Sequence, residues 1–197
     1  MKRDELLDAL AVYAAEDPAE AKALARIRRF LASRADPFSR KDPEGHVTGS
    51  AIVARPDGSA FLLVHHRKLG CWLQPGGHSE EKDRSVFDTA LREAREETGI
   101  ADFRAPLSRS IFDVDVHAIP AHGKDPAHTH FDIRYLLTSS AATHSAGAED
   151  PARPMVWLAL PRALEAGLDG SLSRALRKAH VRLTAMAAGT WGQVCEL

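Results

Sequence analysis

Apolar positions recur at helical spacing through Leu6, Leu7, Leu10, Val12 and Tyr13, and again through "DPAEAKALARIRRFLASR". Residues 4–33 are therefore expected to be helical, restarting at Asp17 as N-cap with Pro18 at the first helical position. A Pro- and Asp-rich linker, "ADPFSRKDPEGH", follows and ends near His46. The period then shortens. "TGSAIVAR" and "AFLLVHHR" predict strands around a "PDGS" turn, and "CWLQ" predicts a third strand. "PGGHSEEKDR" is expected to be a loop, and "SVFDTALREAREETG" a helix opened by Ser85 and Asp88 and stopped by Gly99. "SIFDVDVHAI" and "THFDIRYLLTS" alternate apolar and polar residues, as half-buried strands do. "SSAATHSAGAEDPARP" is small, polar and expected to be mobile. "MVWLAL" reads as a strand, and "LPRALEAGL" and "LSRALRKAHVRLTAM" as helices. This order predicts an α+β or a layered α/β/α domain.

Composition narrows the function classes. The chain has 197 residues, 44% hydrophobic and 27% charged, within the range of a globular protein. A formal net charge of -1 gives no electrostatic case for nucleic acid or an acidic membrane. Cys71 and Cys195 form no CxxC and no disulfide framework. No apolar run approaches a membrane span, and Asp8 and Glu16 interrupt the N-terminal segment, which rules against a signal peptide. A cytoplasmic location is the default expectation.

The central helix carries the candidate chemistry. At about 100° per residue, Phe87, Ala90, Leu91, Ala94 and Thr98 form a core-facing stripe. Glu93, Glu96 and Glu97 form a second arc pointing away from it. Three converging carboxylates suit a hard cation such as Mg²⁺, although a solvated charged face has the same composition. The preceding loop supplies Gly76 and Gly77, which let backbone approach a ligand closely, and the acidic residues Glu80, Glu81 and Asp83.

"GGHSEEKDRSVFDTALREAREETGI" resembles the Nudix box of the Nudix hydrolases. Gly77 takes the first place of that pattern, and Arg92, Glu93, Ala94, Glu96, Glu97, Gly99 and Ile100 match its second half. Asp83 stands where the family has Glu, and eight residues rather than seven separate it from Arg92, leaving Glu80 or Glu81 as its alternatives at a metal. The resemblance implies a Nudix-type α/β/α sandwich around a mixed sheet over residues 46–165. Residues 1–40 are then a helical N-terminal extension, and 166–197 a C-terminal helix and tail packed on the domain. It also implies hydrolysis of a diphosphate linkage in a nucleoside diphosphate joined to another moiety, with Mg²⁺ or Mn²⁺ as cofactor. Glu93 and Glu97 would be the main ligands, with Glu96, the Gly77 carbonyl and Asp83 completing the set. Arg92 would hold a carboxylate in place. The general base would be a box glutamate, with Glu149 as an outside candidate. Two other readings share the fold. One is an isopentenyl-diphosphate-isomerase-like enzyme, against which Cys71 lacks the surrounding pattern; the other is a non-catalytic nucleotide-sensing module. The intact glutamate set favours hydrolysis over both.

The strand faces bear on substrate. Asp113, Asp115 and His117 share one face of their strand, and His128, His130, Asp132 and Arg134 share one face of theirs. If the strands pair, these faces form one patch: either a solvated charge ladder, or a wall that binds phosphates, a second metal or a polar head group. His78, beside Gly76 and Gly77, could point into the same space. His65 and His66 read as a strand end, and Trp157 as core or a stacking side chain. The partner expected is a small-molecule diphosphate. Leu6, Leu10, Leu24, Ile27, Phe30 and Leu31 are too many apolar groups for a solvated helix pair, so they bury against the domain or a second subunit, with a homodimer expected.

Overall fold

A computed structural model describes residues 3–67, 69–121, 123, 126–141, 148–150 and 152–190. Two N-terminal helices, α1 (Arg3–Ala11) and α2 (Pro18–Ser33), precede strands β1 (Gly45–Ala54), β2 (Phe61–His66), β3 (Cys71–Leu73) and β4 (Gly76–His78). Helix α3 (Val86–Thr98) comes next, then β5 (Asp113–Ile119), β6 (His128–Thr138), β7 (Met155–Leu158), α4 (Leu160–Glu165) and α5 (Gly170–Ala187). The seven strands form one sheet with hydrogen-bonded order β3-β2-β1-β6-β5, β4 pairing with β1 and β7 with β2. The expected α/β class and N-terminal helices are both present. Among the described residues, no helix is long and apolar enough to cross a membrane.

Local chemistry explains several boundaries. Asp17 caps α2 by accepting from the Glu20 N–H at 2.8 Å, with Pro18 at the first helical position as expected. Ser85 accepts from the Asp88 N–H at 3.2 Å and opens α3. Gly99, at φ 67°, stops it while its N–H reaches the Arg95 carbonyl at 2.7 Å.

Two expectations are corrected. The linker ends earlier than expected, because β1 begins at Gly45 and takes His46 into the strand. Gly76–His78 is strand rather than loop, paired with Thr48–Ser50. Glycine argues for a loop on local propensity. Here Gly76 approaches β1 so closely that a β-carbon would meet the Ser50 Cβ at 2.7 Å.

The described residues divide into two compact units. The first takes those within 1–50, 76–93 and 109–135, the second those within 51–75, 94–108 and 136–197. In the first unit α2 packs on β5, and the Phe30 ring stacks on Phe131 with centroids 3.9 Å apart. Leu6, Leu10, Leu24, Ile27 and Leu31 are buried with it, so this face is covered within the chain. Val12, counted in the apolar spacing, lies beyond the end of α1 and is exposed. The Tyr13 hydroxyl contacts Glu20 and the Phe112 carbonyl. In the second unit Ala54 pairs with Phe61 across the expected hairpin, and β7 lies beside β2. Leu172, Leu176 and Leu183 of α5 are buried, and the His180 ring meets the Gly58 carbonyl. His65 and His66 end β2 as expected, and the Arg55 guanidinium lies 3.6 Å over the Trp157 ring. Residues 142–147 of the segment expected to be mobile, and the tail with Trp191 and Cys195, lie outside the described residues.

Candidate active site

Helix α3 buries Phe87, Ala90, Ala94 and Thr98, with Leu91 half-buried, so the predicted apolar stripe is the observed one. Glu93, Glu96 and Glu97 are half-buried on the remaining surface. Glu93 and Glu97 stand one turn apart, the spacing that aims two carboxylates the same way.

In the first unit, Arg92 is the centre of a carboxylate network. Its Nη2 donates to Asp83 Oδ2 at 3.0 Å and to the His78 carbonyl at 2.7 Å, and its Nη1 to Glu93 Oε1 at 2.9 Å. Its Nε faces both Asp83 oxygens, at 3.1 and 3.3 Å, and Glu80 lies 3.6 Å from Nη1. Asp83 is 4% exposed and also accepts from the Glu80 N–H and the Thr89 hydroxyl. Burial alone would raise its pKa, but these donors and the Arg92 charge hold it below the ordinary value. The loop carboxylate and Arg92 thus brace each other, and through them the backbone at His78 is tied to α3.

Glu93 rests on β4. A β-carbon at Gly77 would lie 2.6 Å from the Glu93 carboxyl carbon, so only glycine lets the carboxylate occupy this place. In the second unit, the Glu149 N–H donates to the Glu96 carbonyl at 2.8 Å, and Arg153 forms an ion pair with Glu97.

The strand face predicted from alternation is assembled in register. Asp113 pairs with Arg134, Asp115 with Asp132, and His117 with His130. It is not a solvated ladder. Asp113, Asp132 and Arg134 are at most 1% exposed. Arg134 donates to Asp132 at 3.0 Å, Asp113 at 3.2 Å and Asp115 at 3.3 Å. Asp132 also accepts from Thr48 at 2.9 Å and Ser50 at 2.8 Å, so its oxygens serve the protein interior. Strand alternation shows which residues share a face; it does not show whether that face is covered.

The histidines gather above this network. His46 lies 4.8 Å from His78, 5.0 Å from His128 and 5.0 Å from His130, measured between ring centroids, and His78 lies 5.2 Å from His130. Burial depresses His46 and His78 to about 4, helped by the neighbouring His128 for His46 and by the charge of Arg40 for His78. Burial depresses His130 to about 2, with neighbouring histidines adding to it. His117 goes the other way: burial lowers it, but its hydrogen bond to Asp115 and the charges of Asp132 and Asp115 raise it on balance. His46 escaped the sequence reading, although "HVTGS" held the signal. His46, Thr48 and Ser50 repeat at every second position and so share one face of β1.

Comparison with known proteins accords with this geometry. The chain is 37% identical over 98 residues to the "Probable DHNTP pyrophosphohydrolase" of Lactococcus lactis subsp. cremoris (strain MG1363), a match covering 49% of this chain and 55% of that one. The matched stretch thus spans only about half the length of that relative. Among solved structures it is similar to the MutT NUDIX hydrolase from Burkholderia pseudomallei, with 25% identity and a TM-score of 0.50, covering 70% of this chain and 98% of that one. The family model for the NUDIX domain matches residues 45–178, reaching beyond the 46–165 expected from the box, and the chain therefore belongs to the NUDIX family.

Proposed function

We propose that this protein hydrolyses a diphosphate linkage in a nucleoside diphosphate joined to another moiety, with Mg²⁺ or Mn²⁺ as cofactor. The observation that carries the reading is the seat of Glu93 on Gly77, with Glu97 one turn further along α3. The family membership and the similarity to a protein named as a pyrophosphohydrolase support it.

The residues present fit a hard divalent cation, because every donor offered is oxygen. Glu93, Glu96, Glu97 and the Gly77 carbonyl would hold it. When bound, the cation offsets charge building on the diphosphate oxygens and lowers the pKa of an attacking water. Arg92 orients Glu93, to which it donates at 2.9 Å, and does not contact substrate. Asp83 holds Arg92 rather than the cation, since both its oxygens face the guanidinium. Proton removal from water falls to a box glutamate, with Glu149 the candidate outside the helix. Substrate binding would fall to Gly76, His78, His128 and His130, and the diphosphate is the small-molecule partner.

The test is a hydrolysis panel of nucleoside-diphosphate compounds with Mg²⁺ or Mn²⁺, read as phosphate released after phosphatase coupling. Turnover should fall at least roughly a hundredfold, about 2.7 kcal/mol, in Glu93→Gln and in Glu97→Gln at wild-type melting temperature. No turnover on any member with either cation, or equal turnover in both variants, overturns the reading.

A further inference from the structure

We propose that His46, His78 and His130 form a transition-metal site that takes Zn²⁺ or a cation of like chemistry, separate from the carboxylates of α3. Each residue comes from a different strand, β1, β4 and β6, and one ring nitrogen from each lies within 4.8 Å of the others. The pairing of β4 with β1 sets His78 opposite Thr48, two residues from His46.

His46 is the independent witness. It is 3% exposed, and neither its Nδ1 nor its Nε2 has a hydrogen-bond partner. A buried polar group left unpaired is destabilising and rare, so an imidazole in this state lacks something that its surroundings do not supply. Three imidazole rings stand within 5.0 Å of it, centroid to centroid, and none partners either of its nitrogens. A metal ion accepts a lone pair from one nitrogen of each ring, and so partners one of the two His46 nitrogens.

His128 extends the set. Its Nδ1 lies 2.9 Å from the Pro126 carbonyl, a contact that only Nδ1–H makes favourable and that leaves Nε2 as a bare lone pair. A ligand histidine is commonly oriented this way by a backbone carbonyl. That Nε2 stands 3.2 Å from Nε2 of His130. Two nitrogens at about 2.0 Å from a tetrahedral Zn²⁺ are roughly 3.3 Å apart, so this separation is already that of one tetrahedral edge. The ring nitrogens of His46, His78 and His130 lie within 4.8 Å of one another, so binding an ion draws them inward. An all-imidazole set selects Zn²⁺, Co²⁺, Ni²⁺ or Cu²⁺ over Mg²⁺, whereas the oxygen donors of α3 are of the kind that suits Mg²⁺. The two sites thus divide the cations by chemistry, and the histidine site stands whether or not the hydrolase reading does.

The experiment uses the untagged full-length chain, stripped with chelator, dialysed against Zn²⁺ in the presence of excess Mg²⁺, desalted and assayed for metal. Co²⁺ as a probe adds the visible absorption of nitrogen-ligated cobalt in low coordination. The wild type should retain a single zinc, give that absorption, and melt higher with zinc than without. His130→Ala and His78→Gln should bind at least tenfold more weakly, and the Glu93→Gln/Glu97→Gln double variant should keep its zinc. His78 is only half-buried, so its variant carries the test if His130→Ala does not fold. Failure of the wild type to retain zinc or to show the cobalt absorption overturns the site, as does equal retention in a folded His78→Gln. Loss of turnover with zinc retained would touch only the carboxylates.

Discussion

The carboxylate of Glu93 lies against the backbone of Gly77, with no room for a β-carbon between them. The clash in Gly77→Ala would fall on the far end of a flexible side chain, which can swing aside. Stability should therefore change by less than about 1 kcal/mol, as for most substitutions away from the core. The carboxylate, however, loses its position, and kcat/KM with Mg²⁺ should fall at least tenfold, about 1.4 kcal/mol. Kinetics and a thermal melt on the same preparation check this. Wild-type kcat/KM in the variant would mean that the contact is packing only.

Asp83 and Arg92 form the buried brace behind that carboxylate. Asp83→Asn removes the charge while keeping the shape, and should cost about 1–3 kcal/mol at neutral pH, the scale of hydrogen bonds to charged groups. The sign with pH is fixed. Asp83 has a folded pKa below its ordinary 3.8, so its contribution is present above that value and lost as pH falls through the folded one. The stability gap between wild type and variant should be constant from neutral pH down to about pH 5 and close below about pH 4. Denaturant melts across that range measure it, and a gap independent of pH would show that the charge of Asp83 contributes nothing.

Much of this was legible in the sequence because the signals were local or periodic. The caps at Asp17 and Ser85, the apolar stripe of α3 and the alternating faces of β5 and β6 all depend on neighbours a few residues away. What escaped depended on distant backbone. Gly76 and Gly77 read as loop because glycine lacks strand propensity, and only the approach of β1 makes them strand. The Pro- and Asp-rich flank places His46 at the end of a linker, although β1 begins one residue before it. Alternation groups Asp113, Asp132 and Arg134 into one patch but is equally compatible with a solvated one. Nothing in a period of two reports what covers a face, so burial had to come from the fold.

Arg153 occupies Glu97 as a cation would, and the pair is mostly buried. Metal binding at Glu97 must compete with this guanidinium. Arg153→Ala should lower the Mg²⁺ concentration for half-maximal activation by about two- to fivefold, the scale of a partly exposed ion pair of up to 1 kcal/mol. Activation curves at saturating substrate read it directly. An unchanged curve would place the cation away from Glu97.

Asp132 stands between His130 and Arg134 on one face of β6. Its carboxylate satisfies the hydroxyls of Thr48 and Ser50 and balances Arg134, all of them buried. Asp132→Ala strands those donors and removes one of the carboxylates that balance the guanidinium. Removing one partner from a buried charge network costs about 3–5 kcal/mol. The outcome expected of Asp132→Ala is thus a large fall in the denaturation midpoint, with metal retention by the histidines following the folded fraction. His130→Ala should do the opposite, weakening zinc retention while costing much less stability. Its ring contacts other histidines rather than an ion pair. Denaturant midpoints and zinc content measured on both variants decide the matter. An Asp132→Ala protein as stable as the wild type would show that Arg134 is balanced without it.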